Sequence, residues 1–96
     1  MKKRIKKIIS TRLLLYKATT LFNKYIRYRD LRRLGGKCYT CGKEGTEAGH
    51  FIHNKNSVKF NEINVNLQCG LCNRWNHGNL GVYGIRLIKE YGIEII

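Results

Sequence analysis

The 96-residue sequence has no proline, few acidic residues and no long apolar run. The absence of proline excludes a proline-rich linker, and no internal repeat or low-complexity tract divides the chain, so we expect one domain. No apolar stretch reaches the roughly eighteen residues that a membrane span needs. A domain of this size buries little apolar surface and usually needs disulfides, a bound metal or a partner subunit.

Acidic residues number only six against nineteen Lys and Arg, which gives a net charge of +13. Residues 1–37 contain thirteen basic residues and one acid, Asp30, whereas residues 38–96 are nearly neutral. Lys and Arg near phosphates release condensed counterions, so this imbalance favours DNA as a partner, although a solvated helix face or an anionic membrane surface remains an alternative. The predicted phosphate contacts are Lys2, Lys3, Arg4, Lys6, Lys7, Arg12, Lys24, Arg27, Arg29, Arg32, Arg33 and Arg74.

The basic first residues are similar to the flank of a signal peptide, but the rest of such a signal is missing. Arg12 and Lys17 interrupt the apolar stretch, and no small-residue cleavage site follows. We therefore expect a cytoplasmic protein without a membrane partner, whose cysteines are reduced and available to metal.

Residues 3–34 lack proline and glycine and carry apolar residues at mostly helical spacing. They predict one long helix or two shorter ones, with a weak point at residues 18–20 and an end at Gly35 and Gly36. Short strands are expected around residues 48–52 and 57–60, and the asparagine-rich segment 61–68 is expected to be a loop.

The last third of the chain predicts two further helices. A short one should begin near the last cysteine pair and end at Gly78, and an amphipathic one should cover residues 82–91 and end at Gly92. The side chains expected to face inward from this last helix are Val82, Ile85, Ile88 and Tyr91.

Two C-x-x-C pairs, Cys38 with Cys41 and Cys69 with Cys72, are separated by 27 residues. Two such pairs complete a closed tetrahedral Zn²⁺ site, which stabilises a fold and does no catalysis. Disulfides, a redox pair or unrelated buried thiols are the alternatives, but a reducing compartment and the lack of a thioredoxin-like pattern disfavour them. A knuckle, a hairpin and a second knuckle that opens a helix describe a treble-clef arrangement.

Four polar residues between and beyond these pairs attract attention: His50, Asn64, Asn73 and His77. Fourteen positions separate His50 from Asn64 and nine separate Asn64 from Asn73. Asn73 and His77 are one helical turn apart, so both side chains should lie on one face of the short helix.

Residues 38–80 resemble an HNH nuclease with a four-cysteine zinc site. Over residues 22–91 the chain resembles the NinG/Rap recombination-nuclease family of lambda-like phages. The segments that carry this resemblance are Phe22-Asn-Lys-Tyr-Ile-Arg-Tyr-Arg-Asp30, Ala48-Gly-His-Phe51, Phe60-Asn-Glu62, Gln68-Cys69, Cys72-Asn73 and His77-Gly-Asn79.

The resemblance implies an α+β, zinc-stabilised treble-clef or ββα-metal (HNH) fold with a long basic N-terminal helix and a C-terminal helix. Residues 1–36 would form a DNA-binding arm and residues 37–96 the nuclease body. It also implies that His50 is a general base, that Asn64 holds the loop that orients His50, and that Asn73 and His77 bind a catalytic Mg²⁺ or Mn²⁺ ion. The implied substrate is branched recombination DNA. Cutting two strands together would require two active sites, which a homodimer would supply.

One position departs from the common HNH pattern, because Gly49 stands where an acid or a histidine usually precedes the strand histidine. Glu47 is the candidate replacement ligand, and we expect it to need a bulge or turn in order to reach the ion. Ordinary roles remain open: a structural His50, a solvated Glu47, Asn73 as a helix cap, and His77 as a polar helix end. The lone Trp75 predicts core packing more strongly than base stacking. The main rival function is a non-catalytic zinc module that binds nucleic acid.

Overall fold

A computed structural model describes residues 2–53 and 55–95, and describes side chains from residue 11 to residue 94 except at 54 and 56. Helix α1 covers Lys2–Arg33, strand β1 Glu47–His50, strand β2 Val65–Gln68 and helix α2 Leu80–Tyr91. Shorter elements are the 3-10 turns Asn56–Val58 and Ile93–Ile95 and a π-helical segment at Leu71–Trp75, called the knuckle helix below. The predicted α+β class, with a long N-terminal and a C-terminal helix, is confirmed.

Helix α1 runs without a break through the predicted weak point. The hydroxyls of Thr19 and Thr20 donate to the carbonyls of Leu15 and Tyr16, four residues back, so these β-branched residues are accommodated in the helix. Gly35 and Gly36 end the helix as predicted, with φ of 63° and 73°. That left-handed conformation is open to glycine at no steric cost.

Strands β1 and β2 pair antiparallel, from Glu47 opposite Gln68 to His50 opposite Val65. The expected strand at residues 57–60 is wrong, because β2 lies instead in the segment expected to be a loop. The polar side chains of β2 bond inside the protein: the Asn66 amide donates to the Tyr83 hydroxyl, and the Gln68 amide donates to the Gly78 carbonyl. Because these side-chain amides bond to groups outside β2, they leave the backbone groups of β2 free to pair in the sheet.

The core is built from Tyr39, Tyr83 and Leu87, with Leu34, Phe51 and Ile63 packed around them. The predicted inward face of α2 is wrong: Val82, Ile85, Ile88 and Tyr91 are exposed, whereas Tyr83 and Leu87 are buried. The Tyr83 ring suits this position because its hydroxyl donates to the Gly49 carbonyl at 2.7 Å, which satisfies the polar end of a buried ring.

Helix α1 is joined to the outer edge of β2 through the fully buried carboxylate of Asp30. Asp30 accepts hydrogen bonds from the side chains of Arg29 and Arg33, each at 2.8 Å, and from the Leu67 backbone amide at 2.9 Å. Burial alone would raise the pKa of Asp30, but these donors outweigh it and lower the pKa. The last turns of α1 therefore belong to the body of the protein.

The preceding turns of α1 differ from this anchored end. Apolar side chains such as Leu14, Tyr16 and Leu21 are exposed along them, and the structure extends to 52 Å in its longest dimension. Of the helices that the structure describes, none combines the length and the apolar character needed to cross a bilayer. The described part of α1 between residues 11 and 21 is an exposed arm.

Candidate functional site

The Sγ atoms of Cys38, Cys41, Cys69 and Cys72 all lie within 4.8 Å of one another, and none of the four is in a disulfide. Tetrahedral Zn–S bonds of about 2.3 Å place two sulfurs roughly 3.8 Å apart. The Cys41 and Cys69 sulfurs are 3.6 Å apart. The cluster therefore fits the predicted Zn²⁺ ion, and the knuckle, hairpin, knuckle and short helix follow one another in the predicted order.

Hydrogen-bond donors surround the sulfurs of this cluster. The Cys72 amide donates to the Cys69 sulfur at 3.4 Å, and the Asn79 side chain donates to the Cys72 sulfur at 3.6 Å. Burial opposes ionisation of Cys38, but the Thr40 hydroxyl and backbone amides lower its pKa to about 6. These donors prepare Cys38 for a cation, because the thiolate is the form that binds metal.

His50 is the last residue of β1, and its ring is half-buried, with Nε2 3.2 Å from the Lys59 carbonyl. Burial lowers the pKa of His50, the Lys59 carbonyl opposes this effect, and electrostatic repulsion from His53 and Lys59 lowers the pKa further. The imidazole is therefore neutral at pH 7 and can accept a proton.

The loop after His50 is held by the buried side chain of Asn64. Its Oδ1 accepts from the Ile52 amide at 2.8 Å, and its Nδ2 donates to the carbonyls of Ile52 at 3.1 Å and Val58 at 3.2 Å. These bonds close the loop that contains His53. They also hold Val58, which directly precedes the Lys59 carbonyl beside the His50 ring. Asn64 thus makes the loop contacts expected of it, while its effect on catalysis stays a prediction.

Glu47 meets the knuckle helix. Its Oε1 accepts a hydrogen bond from the Asn73 side chain at 2.9 Å, and its Oε2 pairs with Arg74 at 3.0 Å. The expected bulge is absent, because the register of β1 is regular from Glu47 to His50. Residues two apart share one face of a strand, so Glu47 lies on the face of Gly49, where the usual ligand is missing.

Close packing against Gln68 explains why position 49 is a glycine. A Cβ atom there would lie 1.8 Å from Oε1 of Gln68, a side chain that is fully buried. The Gln68 amide nitrogen donates to the Thr40 hydroxyl at 3.1 Å and the Gly78 carbonyl at 2.8 Å, which fixes the carboxamide in place. No larger residue fits at position 49 unless Gln68 moves.

His77 lies beyond the knuckle helix. The knuckle helix ends at Trp75, and His77 and Asn79 adopt left-handed conformations with φ of 50°. The expectation that Asn73 and His77 share one helix face is therefore wrong, and the exposed His77 belongs to a turn. Within the described residues, the cysteine cluster is the one place where three or more His, Cys, Asp or Glu ligand atoms converge.

The predicted phosphate contacts fall into three groups. Arg12, Lys24, Arg27 and Arg32 are exposed on α1. Arg29 and Arg33 are engaged by acceptors of the protein, since both bond Asp30 and Asn66, and Arg74 pairs with Glu47. Lys2, Lys3, Arg4, Lys6 and Lys7 have side chains outside the described residues. Asp30 as a structural centre was missed, although a single acid among thirteen basic residues signals an internal partner.

Trp75 is not part of the core. Its side chain is 76% exposed at the end of the knuckle helix, which overturns the packing role expected of it. The role of Gln68 was likewise not predicted. It depends on the absence of a side chain at Gly49 on the neighbouring strand, and the sequence alone does not show which residues the strand pairing brings together.

Fold and site together define a small α+β protein with a clustered set of four cysteines that can hold a zinc ion. The family model described as "Bacteriophage Lambda NinG protein" matches residues 1–96. The chain belongs to the NinG family.

Curated relatives agree with this family. The chain is similar to "Protein ninG" of Escherichia phage lambda, with 34% identity over 76 residues, covering 77% of this chain and 37% of the relative. The "Protein ninG" of Salmonella phage P22 is 33% identical, covering 77% of this chain and 37% of the relative. The chain thus spans little more than a third of these relatives, at 37%. No solved structure matches it.

Proposed function

We propose that this chain carries the active site of a metal-dependent DNA endonuclease of the HNH kind, which hydrolyses phosphodiester bonds in branched recombination intermediates. The observation that carries the proposal is His50: a half-buried, neutral imidazole at a strand end, beside a loop that Asn64 clamps. A general base needs a fixed ring and a pKa at or below the working pH.

In this proposal the hairpin and the knuckle helix form a ββα-metal unit that the zinc cluster stabilises. His50 removes the proton of the attacking water. Glu47 and Asn73 supply oxygen ligands, which suit a hard divalent cation that keeps several waters. A Mg²⁺ or Mn²⁺ ion held there supplies charge neutralisation for the phosphate and for the leaving 3′ oxygen. Gly49 contributes no ligand, and Glu47 on the same strand face takes over that task.

The exposed basic residues of α1 provide the grip on the DNA backbone. Arg12, Lys24, Arg27 and Arg32 lie along the helix outside the Asp30 network. Phosphate contacts of this kind give affinity without sequence preference, and that affinity falls as salt rises. Cleavage of two strands together would use two copies of the chain.

The test is cleavage of supercoiled plasmid and of a synthetic four-way junction with Mg²⁺ or Mn²⁺. We expect His50→Ala to lower the rate by about 10²- to 10⁴-fold and to leave DNA affinity unchanged. Glu44→Gln is the control, because this exposed side chain lies before β1, outside the proposed site, and should retain cleavage.

Two outcomes would contradict the proposal. DNA binding without cleavage by either protein would identify a non-catalytic zinc module, a rival that the pairing of Glu47 with Arg74 favours. Preference for anionic vesicles over DNA would instead identify α1 as a membrane-surface helix.

A further inference from the structure

Trp75 is the single tryptophan of the chain, and its 76% exposure is the highest among the large hydrophobic side chains of the described residues. An isolated exposed apolar residue by itself needs no explanation. Tryptophan, however, is on average one of the more buried residue types. What sets Trp75 apart is its position.

Trp75 directly follows the two residues that contact Glu47. Asn73 bonds one oxygen of Glu47, and Arg74, which is 68% exposed, pairs with the other. The same five-residue helix thus presents the candidate metal ligand, a cation and an indole ring in consecutive positions. Trp75 is two positions from Asn73, so their Cα atoms lie within about 7.6 Å of each other, and the indole leaves the helix on a different face from the Asn73 side chain.

The support beneath the ring is fixed. The buried Cys72 ties the knuckle helix to the sulfur cluster. Backbone bonds from Asn73 to the Cys69 carbonyl at 2.9 Å and from Asn76 to the Leu71 carbonyl at 2.9 Å hold both ends of the helix. An aromatic side chain on a fixed backbone loses little conformational entropy when it binds, since only two side-chain torsions remain to be ordered.

We propose that Trp75 is a stacking platform for an unpaired DNA base next to the phosphate that is cleaved. This inference rests on the proposed function for the identity of that phosphate. Inside a perfect duplex both faces of every base are covered by neighbours, so the indole finds no free face. At a junction, a gap or a single strand a base face is open, and stacking there is tolerant of sequence because every base has a π face.

Charge favours a nucleic acid over a protein as the occupant. The chain carries a net charge of +13, and the residue before Trp75 is an exposed arginine. A polyanion that offers aromatic faces matches both features. Trp75 therefore adds a preference for DNA structure to an electrostatic grip that has none.

The single tryptophan makes the test direct. Its fluorescence is followed in the full zinc-loaded chain carrying His50→Ala, without Mg²⁺ or Mn²⁺ so that no cleavage occurs. The titrants are a single strand, a four-way junction with unpaired bases and a hairpin-capped duplex. We expect strong quenching by the first two and little by the duplex. Trp75→Ala should weaken single-strand binding by about tenfold, and Trp75→Phe should restore part of the loss.

Ile93→Ala is the matched control, since Ile93 is 74% exposed and lies in the C-terminal 3-10 turn. It should bind all three DNAs as the parent does. Equal quenching by duplex and single strand, or equal weakening of both by Trp75→Ala, would overturn the proposal. A fluorescence change that appears without DNA as the protein concentration rises, and that is lost when the resulting oligomer dissociates, would also overturn the proposal. Such a change identifies an interface between copies of the protein.

This test separates the two proposals. If the unmutated chain cleaves junctions while Trp75 remains unquenched, the stacking platform is wrong and the nuclease stands. If nothing is cleaved but Trp75 is quenched by unpaired DNA, stacking stands and the nuclease fails.

Discussion

Two groups of metal-binding side chains were predicted around the same short helix, and the structure treats them differently. The cysteines converge completely, with all four sulfurs within 4.8 Å. Of the second group, Glu47 meets Asn73 at 2.9 Å, whereas His77 lies beyond the end of the helix in a left-handed conformation. The first group is a closed site suited to a structural ion, and the second, which we call the open site, would as proposed leave positions of its ion free for water and phosphate.

Metal removal gives the largest expected effect and tests the closed site. One zinc ion per chain should be found, and a strong chelator should unfold the protein, because apparent zinc-binding free energies in such sites are about 10–16 kcal/mol. Metal analysis and circular dichroism check this, with refolding on added zinc as the control. A melting curve unchanged after the metal is gone would show that the cluster is not a zinc site.

Replacement of Asn64 tests how strongly its hydrogen bonds hold the loop after His50. Asn64→Ala removes three part-buried hydrogen bonds to the backbone of Ile52 and Val58, so we expect a loss of about 2–3 kcal/mol in unfolding free energy. Urea denaturation measures this, and the exposed Asn76→Ala is the control. A variant as stable as the parent would show that the loop is held by other contacts.

The pH dependence of cleavage tests His50 itself. Because burial lowers its pKa below the ordinary 6.5, the ring stays neutral, and active as a base, to lower pH than a free histidine. The value of kcat/KM should therefore decline only below pH 6.5, where the His50 ring becomes protonated. An acid limb at or above that value would place the essential base elsewhere.

The smallest effect on stability is expected from Arg74→Ala. The Arg74 side chain is 68% exposed, and ion pairs of this kind contribute about 0–1 kcal/mol. We expect Arg74→Ala to change the unfolding free energy by less than about 1 kcal/mol. The affinity for Mn²⁺ should rise severalfold, because Glu47 no longer pairs with a competing cation. A large destabilisation would mean that the pair supports the fold and not the open site.

Features set by a few neighbouring residues were predicted from the sequence better than features set by distant parts of the chain. The cysteine spacing and the glycines that end α1 and α2 depend on a few neighbouring residues, so they were predicted correctly. Strand β2 was missed because its Asn66 and Gln68 find partners in distant segments. The inward face of α2 was misassigned because the bonds that suit Tyr83 to burial come from β1 and β2.

His77 illustrates the same limit inside the candidate site. A spacing of four predicts a shared face only while the helix continues, and the knuckle helix stops at Trp75. Conversely, Glu47 was a weak candidate from sequence, but a regular strand places it on the face of Gly49 and next to Asn73.

The most direct test of the open site is Mn²⁺ binding to the zinc-loaded protein, followed by electron paramagnetic resonance. We predict one Mn²⁺ site that is lost in Glu47→Gln and in Asn73→Ala but retained in His50→Ala and in the control Glu44→Gln. Equal Mn²⁺ binding by all of these proteins, or none by the parent, would contradict the account.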